Sequence, residues 1–152
     1  MAEKIYPGEI YHIYNRSVLK ILLFREKLDY MRFMQKIVIY KKKYPVEILS
    51  FCLMPTHFHL LMREPIHPTT HGGGVSALSR FMQRLQNSQA RYFGIKYKHS
   101  GRVFQGVFKR KRIKDDEQLA NTMTYIEDNP VRKKIVKTAI RWPYSSASNP
   151  SL

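Results

Sequence analysis

A tight break at Met54-Pro55 constrains this chain more than any other feature. Strand-length runs stand on either side of it: Val46 to Leu53 (VEILSFCL) and His57 to Met62 (HFHLLM), both rich in aliphatic, β-branched or aromatic residues. A connection this short has no room for a crossover, so the two runs must pair as an antiparallel hairpin. Alternation along the second run then puts His57 and His59 on one face and Phe58, Leu60 and Met62 on the other. The fold has to cover an apolar face while leaving two imidazoles side by side on a rigid strand.

The flanking segments supply what such a hairpin needs. Ile10 to Asn15 (IYHIYN) reads as a first strand. Arg25 to Lys43 reads as an amphipathic helix with apolar residues at Leu28, Met31, Met34 and Val38, stopped at Tyr44-Pro45 because the residue before proline disfavours helical geometry. Ile66 to Gly74 (IHPTTHGGG) has the composition of a flexible loop. Val75 to Phe93 reads as a second helix with Leu78, Phe81, Met82, Leu85 and Tyr92 inward, and Arg80, Arg84, Asn87 and Arg91 forming a cationic strip on another face. Gly106 to Ile113 (GVFKRKRI) reads as a strand with a basic end. A third helix, capped by Asp115 or Asp116 with Gln118 placed for a capping box, runs to about Asn129 and buries Leu119, Met123 and Ile126. The order strand, helix, strand, strand, helix, strand, helix predicts one α+β domain over residues 1–152: a ferredoxin-like αβ sandwich with helices packed on an antiparallel sheet.

Charge narrows the class of partner. Lys and Arg outnumber Asp and Glu by 27 to 11, and from Pro65 through Lys114 there is no acidic residue but eleven basic ones. These are Arg80, Arg84, Arg91, Lys96, Lys98, Arg102, Lys109, Arg110, Lys111, Arg112 and Lys114. A cationic field without interspersed carboxylates suits a polyanion, since neutralising phosphates releases counterions. Phe93, Tyr97, Phe104 and Phe108 lie among these cations, the pairing of ring faces with positive charge that single-stranded nucleic acid uses, although some of them must belong to the core. No apolar run is long enough to span a bilayer, the N-terminus lacks the form of a secretory signal, and the lone Cys52 excludes an intrachain disulfide or multi-cysteine zinc site. A cytoplasmic, nucleoid-associated protein, monomer or homodimer, is the expectation.

Two elements carry chemistry. The His57/His59 pair is half of a site for a divalent metal. On the third helix, Tyr125 and Asn129 are four apart and therefore share a face away from Leu119, Met123 and Ile126, which sets a phenol beside a neutral oxygen ligand.

In order along the chain come Tyr11-His12-Ile13-Tyr14-Asn15-Arg16, Leu53-Met54-Pro55-Thr56-His57-Phe58-His59-Leu60-Leu61, Leu78-Ser79-Arg80-Phe81-Met82-Gln83, Phe104-Gln105-Gly106-Val107-Phe108-Lys109, Tyr125-Ile126-Glu127-Asp128-Asn129-Pro130-Val131-Arg132 and Trp142-Pro143-Tyr144-Ser145-Ser146. Nearly the whole chain resembles the single-tyrosine HUH transposases, IS200-like in domain type, and among them the REP-associated tyrosine transposases. The resemblance implies that His57 and His59 ligate Mg²⁺ or Mn²⁺, that Asn129 stands at the polar third-ligand position, and that Tyr125 is the nucleophile. It further implies cleavage and rejoining of single-stranded, hairpin-flanked DNA through a covalent 5′-phosphotyrosine; the acid-free basic stretch nominates Arg80, Arg84, Arg91, Lys96, Arg102, Lys109, Arg110, Lys111 and Arg112 as the residues that meet it. An ordinary phenol ionises near pH ~10, so this nucleophile needs help, and no general base is evident. Two other readings stay open: a domesticated protein that binds single strands without cutting them, and a metal-dependent hydrolase that leaves Tyr125 idle.

Overall fold

The computed structural model describes residues 3–67 and 74–152. Its sheet has four strands, β1 (Ile10–Arg16), β2 (Glu47–Met54), β3 (His57–Arg63) and β4 (Lys109–Arg112), in the order β2-β3-β1-β4 with every neighbouring pair antiparallel. The hairpin forms as its short turn requires. Placing β1 between β3 and β4 gives the ferredoxin-like weave.

Central strands β1 and β3 are covered on both faces, which explains why β3 reads as a nearly unbroken apolar run. Helices α1 (Lys27–Lys43) and α2 (Ala77–Lys96) cover one face, where Phe33, Ile37, Phe81 and Leu85 pack against Tyr11, Ile13, Phe58, Leu60 and Met62. Helix α3 (Asp116–Glu127) covers part of the other, where Ile126 joins Cys52, Met54, Leu61 and Ile113, with Leu119 and Met123 half-buried beside them. The histidines belong to this second face. Among the described residues no helix is long and apolar enough to cross a membrane.

Several elements differ from the sequence expectation. In α1 the expected stripe is the wrong one: Leu28, Met31 and Val38 are exposed, while Tyr30, Phe33 and Ile37 are buried. Both stripes have helical spacing, but the second buries larger side chains and places Asp29 where α2 can satisfy it. In α2, Phe93 and Gln89 turn inward where Tyr92 was expected, and Ser76 caps the helix by accepting the Ser79 N–H (3.1 Å). The expected strand from Gly106 shortens to β4, because residues before it are pinned to the end of β1. Asn15 Nδ2 donates to Gln86 Oε1 (2.8 Å) and to the Gly106 carbonyl (2.9 Å), and Arg16 Nε donates to Gln105 Oε1 (2.6 Å). Gly106 takes φ +135°, open to glycine and costly for other residues. Most of the expected 66–74 loop lies outside the described residues.

The last landmark closes the edge of the sheet. Leu53 N–H donates to the Tyr144 carbonyl and Trp142 Nε1 donates to the Leu53 carbonyl (2.9 Å each), while the Ser146 N–H donates to the Phe51 carbonyl (2.9 Å). Strand β2 would otherwise present an unpaired edge. Ser146 Oγ also donates to Glu127 Oε1 (2.9 Å), which fastens the end of α3 to the same strand.

Candidate active site

The turn at Pro55-Thr56 sets the start of β3, and alternation turns His57 and His59 onto the α3 side of the sheet, with Tyr14 of β1 directly opposite His59. Helix α3 reaches them from a well-built start. Asp115 Oδ1 accepts the Gln118 N–H (2.7 Å), and Gln118 Oε1 accepts the Lys114 N–H (2.7 Å), one residue short of the expected capping box.

The far end of α3 departs from the expectation that Pro130 terminates one helix carrying both Tyr125 and Asn129. Asp128 ends α3, and a separate turn, α4 (Asn129–Arg132), follows with Pro130 in its first turn, where a missing N–H costs nothing. The two residues differ in exposure. Tyr125 is 48% exposed, and Asn129 is 2% exposed, tucked beneath the helix against β3. Both nevertheless turn toward His59, so the shared face of the sequence reading looks onto the histidines: the buried amide meets them directly and the Tyr125 ring stands beside them.

Asn129 Oδ1 lies 3.2 Å from His57 Nε2, and its Nδ2 lies 3.4 Å from His59 Nε2. Each imidazole is held from behind: His57 Nδ1 is 3.2 Å from Thr56 Oγ1, and His59 Nδ1 is 3.0 Å from Nε2 of His12. Both Nε2 atoms thus converge on one amide. The Tyr125 ring stands edge-on to His59, centroids 5.8 Å apart, and 6.2 Å from the His12 ring. Arg132 fixes that ring, its guanidinium 3.9 Å from the centroid while Nη2 donates to the Tyr125 carbonyl (2.8 Å).

Electrostatics keeps the imidazoles neutral. Burial, reinforced by His12, His57, Arg132 and Lys133, pushes His59 down to about 3. Burial and Lys111 push His12 down to about 4. His57 is lowered by burial, against the contact with Asn129 and together with Lys133. A neutral imidazole offers the lone pair that metal ligation needs, so the donors suit a divalent cation. The set is small: among the described residues no group of three His, Cys, Asp or Glu side chains could hold a metal, which leaves two imidazoles and the Asn129 amide.

Two clefts meet at His59 and Tyr14. One, of about 620 Å³, includes His57, Lys20, Lys109 and Lys133; the other, of about 530 Å³, includes His12, Lys111, Gln118 and Tyr125.

Strand alternation divides the basic residues. Lys109 and Lys111 face the histidines, opposite Tyr14 and His12 in register. Arg110 and Arg112 face away: the Arg110 guanidinium donates to the Glu3 carbonyl, and the Arg112 N–H donates to Glu3 Oε2 (2.8 Å). Arg80, Arg84, Arg91 and Lys96 all lie on α2, across the sheet from the site. Arg84 leans over Tyr40, and Lys96 is committed to Glu26 and to Asp29 (2.7 Å). Arg102 lines a separate cleft between α2 and the 101–110 segment. The interleaved aromatics belong to the core more fully than the sequence suggests: Phe104 and Phe108 are both buried along with Phe93, and the Tyr97 hydroxyl donates to Asp29. His12, Lys20, Arg132 and Lys133, none of them named as a site residue from the sequence, complete the surroundings of the site. The alternation of IYHIYN separates His12 and Tyr14 from Tyr11 and Ile13, but only the sheet order shows that this face meets His59.

The model of the family described as Transposase IS200 like matches residues 8–129, from just before β1 to the amide that joins the two histidines. The chain belongs to the IS200-like transposase family. Among curated relatives, a Haemophilus influenzae (strain ATCC 51907 / DSM 11121 / KW20 / Rd) protein named a REP-associated tyrosine transposase is 36% identical over 106 residues, covering 68% of this chain and 60% of that protein. The match thus spans less than two thirds of the relative. Among solved structures, a REP-associated tyrosine transposase bound to a REP hairpin superposes with TM-score 0.78 at 19% identity, covering 98% of this chain and 82% of that one. A Deinococcus radiodurans R1 protein described as a transposase matches with TM-score 0.50 at 15% identity, covering 84% of this chain and 96% of that one. At these identities the two structures speak for the fold.

Proposed function

We propose that this transposase cuts and rejoins single-stranded DNA flanking a hairpin, with Tyr125 as nucleophile and a 5′-phosphotyrosine as the covalent intermediate. The observation that carries this reading is the convergence of His57 Nε2 and His59 Nε2 on Asn129, with the half-exposed Tyr125 ring 5.8 Å from His59. The hairpin substrate is supported by the related transposase solved with a REP hairpin.

His57, His59 and Asn129 would hold Mg²⁺ or Mn²⁺, which when bound offsets charge building on the scissile phosphate. Asn129 reaches both histidines from its own turn. The Tyr125 hydroxyl attacks the phosphorus and gives up its proton. The bond from phosphorus to the 3′ oxygen breaks, and that oxygen leaves as a 3′-hydroxyl. One phosphodiester replaces another, so a different 3′-hydroxyl can reverse the step and join strands without a nucleotide cofactor. Arg132 over the ring and Glu127 fastened to Ser146 fix the helix end from which the phenol projects. Lys109, Lys111, Lys20 and Lys133 would meet backbone phosphates beside the site, and the α2 arginines and Arg102 would serve DNA that wraps to the other side of the sheet. A DNA-acting protein of this kind belongs in the cytoplasm with the nucleoid.

End-labelled single-stranded substrate, incubated with protein and Mn²⁺ and followed by peptide mapping, tests the proposal. A covalent adduct at Tyr125, lost in Tyr125→Phe while DNA binding persists, is expected. An adduct at another tyrosine, or cleavage by the Phe variant at the wild-type rate, refutes it. Binding with no cleavage by the wild-type protein would favour the domesticated reading.

A further inference from the structure

His12 plays no part in the reaction just described, yet it is half-buried and touches the most deeply buried imidazole of the site. We propose that His12 is a positioning residue that fixes the tautomer of His59, leaving His59 Nε2 bare and aimed at Asn129 before any metal arrives. The inference rests on the reading of His57, His59 and Asn129 as the ligand set.

The assignment follows from which atoms can donate. The Asn129 amide sets Oδ1 at 3.2 Å from His57 Nε2 and Nδ2 at 3.4 Å from His59 Nε2. An amide nitrogen only donates, so His59 Nε2 accepts and carries no proton. In a neutral imidazole the proton then sits on Nδ1, and the atom facing it at 3.0 Å is Nε2 of His12, which must accept. The two rings lie nearly parallel, 29° apart with centroids 5.2 Å apart, and Tyr14 stands 5.0 Å from His12 and 6.0 Å from His59, which leaves His59 little freedom to turn.

His57 is set differently. Its Nε2 faces an amide oxygen, so in the metal-free protein Nε2 carries the proton and Nδ1 accepts from the Thr56 hydroxyl. To become a ligand, His57 must move its proton to Nδ1, where the same hydroxyl can turn and accept it. One ligand is preset by a second histidine, and the other is switched against a hydroxyl that adapts to either state. Outer partners of metal-ligating histidines typically change affinity by about 10–100-fold when removed, and that is the effect expected here.

The test reads the tautomer directly. Long-range ¹H–¹⁵N spectra of ¹⁵N-labelled, metal-free protein at neutral pH should show His59 protonated at Nδ1 and His57 at Nε2. In His12→Ala the His59 proton should redistribute toward Nε2, and Mn²⁺ affinity measured by calorimetry should fall by about 10–100-fold. His12→Gln, whose Oε1 can accept in the same place, should restore the Nδ1–H form and most of the affinity. A wild-type His59 protonated at Nε2, or a His12→Ala protein with the wild-type tautomer and Mn²⁺ affinity, overturns the proposal. Mn²⁺ that binds the wild-type protein without broadening the His57 and His59 ring signals would instead overturn the ligand reading, and it would leave the tautomer result to be judged by itself.

Discussion

Replacing Asp29 by Asn should destabilise the protein by on the order of 2–3 kcal/mol at neutral pH, through the loss of one buried charge. Asp29 is fully buried at the start of α1 and accepts from five donors. Oδ2 takes the N–H groups of Arg25 (2.8 Å) and Glu26 (3.3 Å) and the Tyr97 hydroxyl; Oδ1 takes the Tyr92 hydroxyl and Lys96 Nζ (2.7 Å each). Burial alone would raise its pKa, but Lys96, the two phenols and the Arg25 N–H outweigh that and hold the carboxyl down at about 2. Against an ordinary value near ~3.9, that is about two units, each worth about 1.4 kcal/mol. Asparagine fits the space, yet whichever way it turns, its NH₂ faces either two backbone N–H groups or the lysine. The pH dependence separates charge from packing. A depressed folded pKa means that the stabilisation is fully present above about pH 4 and drains as pH falls toward 2. Urea unfolding of both proteins from pH 7 to pH 3 should therefore show a constant gap at first, then one that closes on the acid side. A gap that stays constant or widens at pH 3 would refute the account. The same network makes Lys96 a link between α1 and α2, so Lys96→Met should lower the urea midpoint and leave affinity for hairpin DNA unchanged.

Replacing either His57 or His59 by Ala should abolish cleavage of a labelled hairpin substrate while leaving most of its affinity; full cleavage by wild-type protein in excess chelator would sink the metal-dependent reading. Lys109→Gln and Lys111→Gln should each reduce the steep log–log salt slope of DNA binding by about 1, and Arg110→Gln by less, because Arg110 points across the sheet to Glu3. Equal effects of all three would show that the two faces of β4 are not distinguished by the DNA.

Local signals were legible where one element decides them. The Met54-Pro55 hairpin, the side on which His57 and His59 project, and the Asp115 start of α3 depend on alternation, turn length and capping, all short-range, and each appears where expected. What sequence periodicity left undetermined was which of two helical stripes, or which strand face, the rest of the molecule would claim. In α1 both 28/31/34/38 and 30/33/37 are apolar, and the choice falls to the stripe whose neighbour Asp29 finds donors on α2 more than sixty residues away. Charge misled for a related reason: eleven basic residues in one acid-free stretch look like one surface, but the fold sends Arg84 and Lys96 to the α1 side and Lys109 and Lys111 to the histidines.

Tyr125 and Asn129 carry this furthest. On one continuous helix, a spacing of four puts both on the same face, and a phenol and an amide both left in solvent would make a poor site. A break at Asp128 follows Tyr125, and both side chains turn toward His59 rather than into solvent. Tyr125 stays on α3, half-exposed beside His59, and Asn129 opens the next turn, buried against the two imidazoles. Pro130 is compatible with that break because it sits in the first turn of α4, where its missing N–H is not needed, and its fixed φ suits the start of a helix. Across that turn the chain keeps Tyr125, the proposed nucleophile, half-exposed while the Asn129 amide is withdrawn from water against the two histidines.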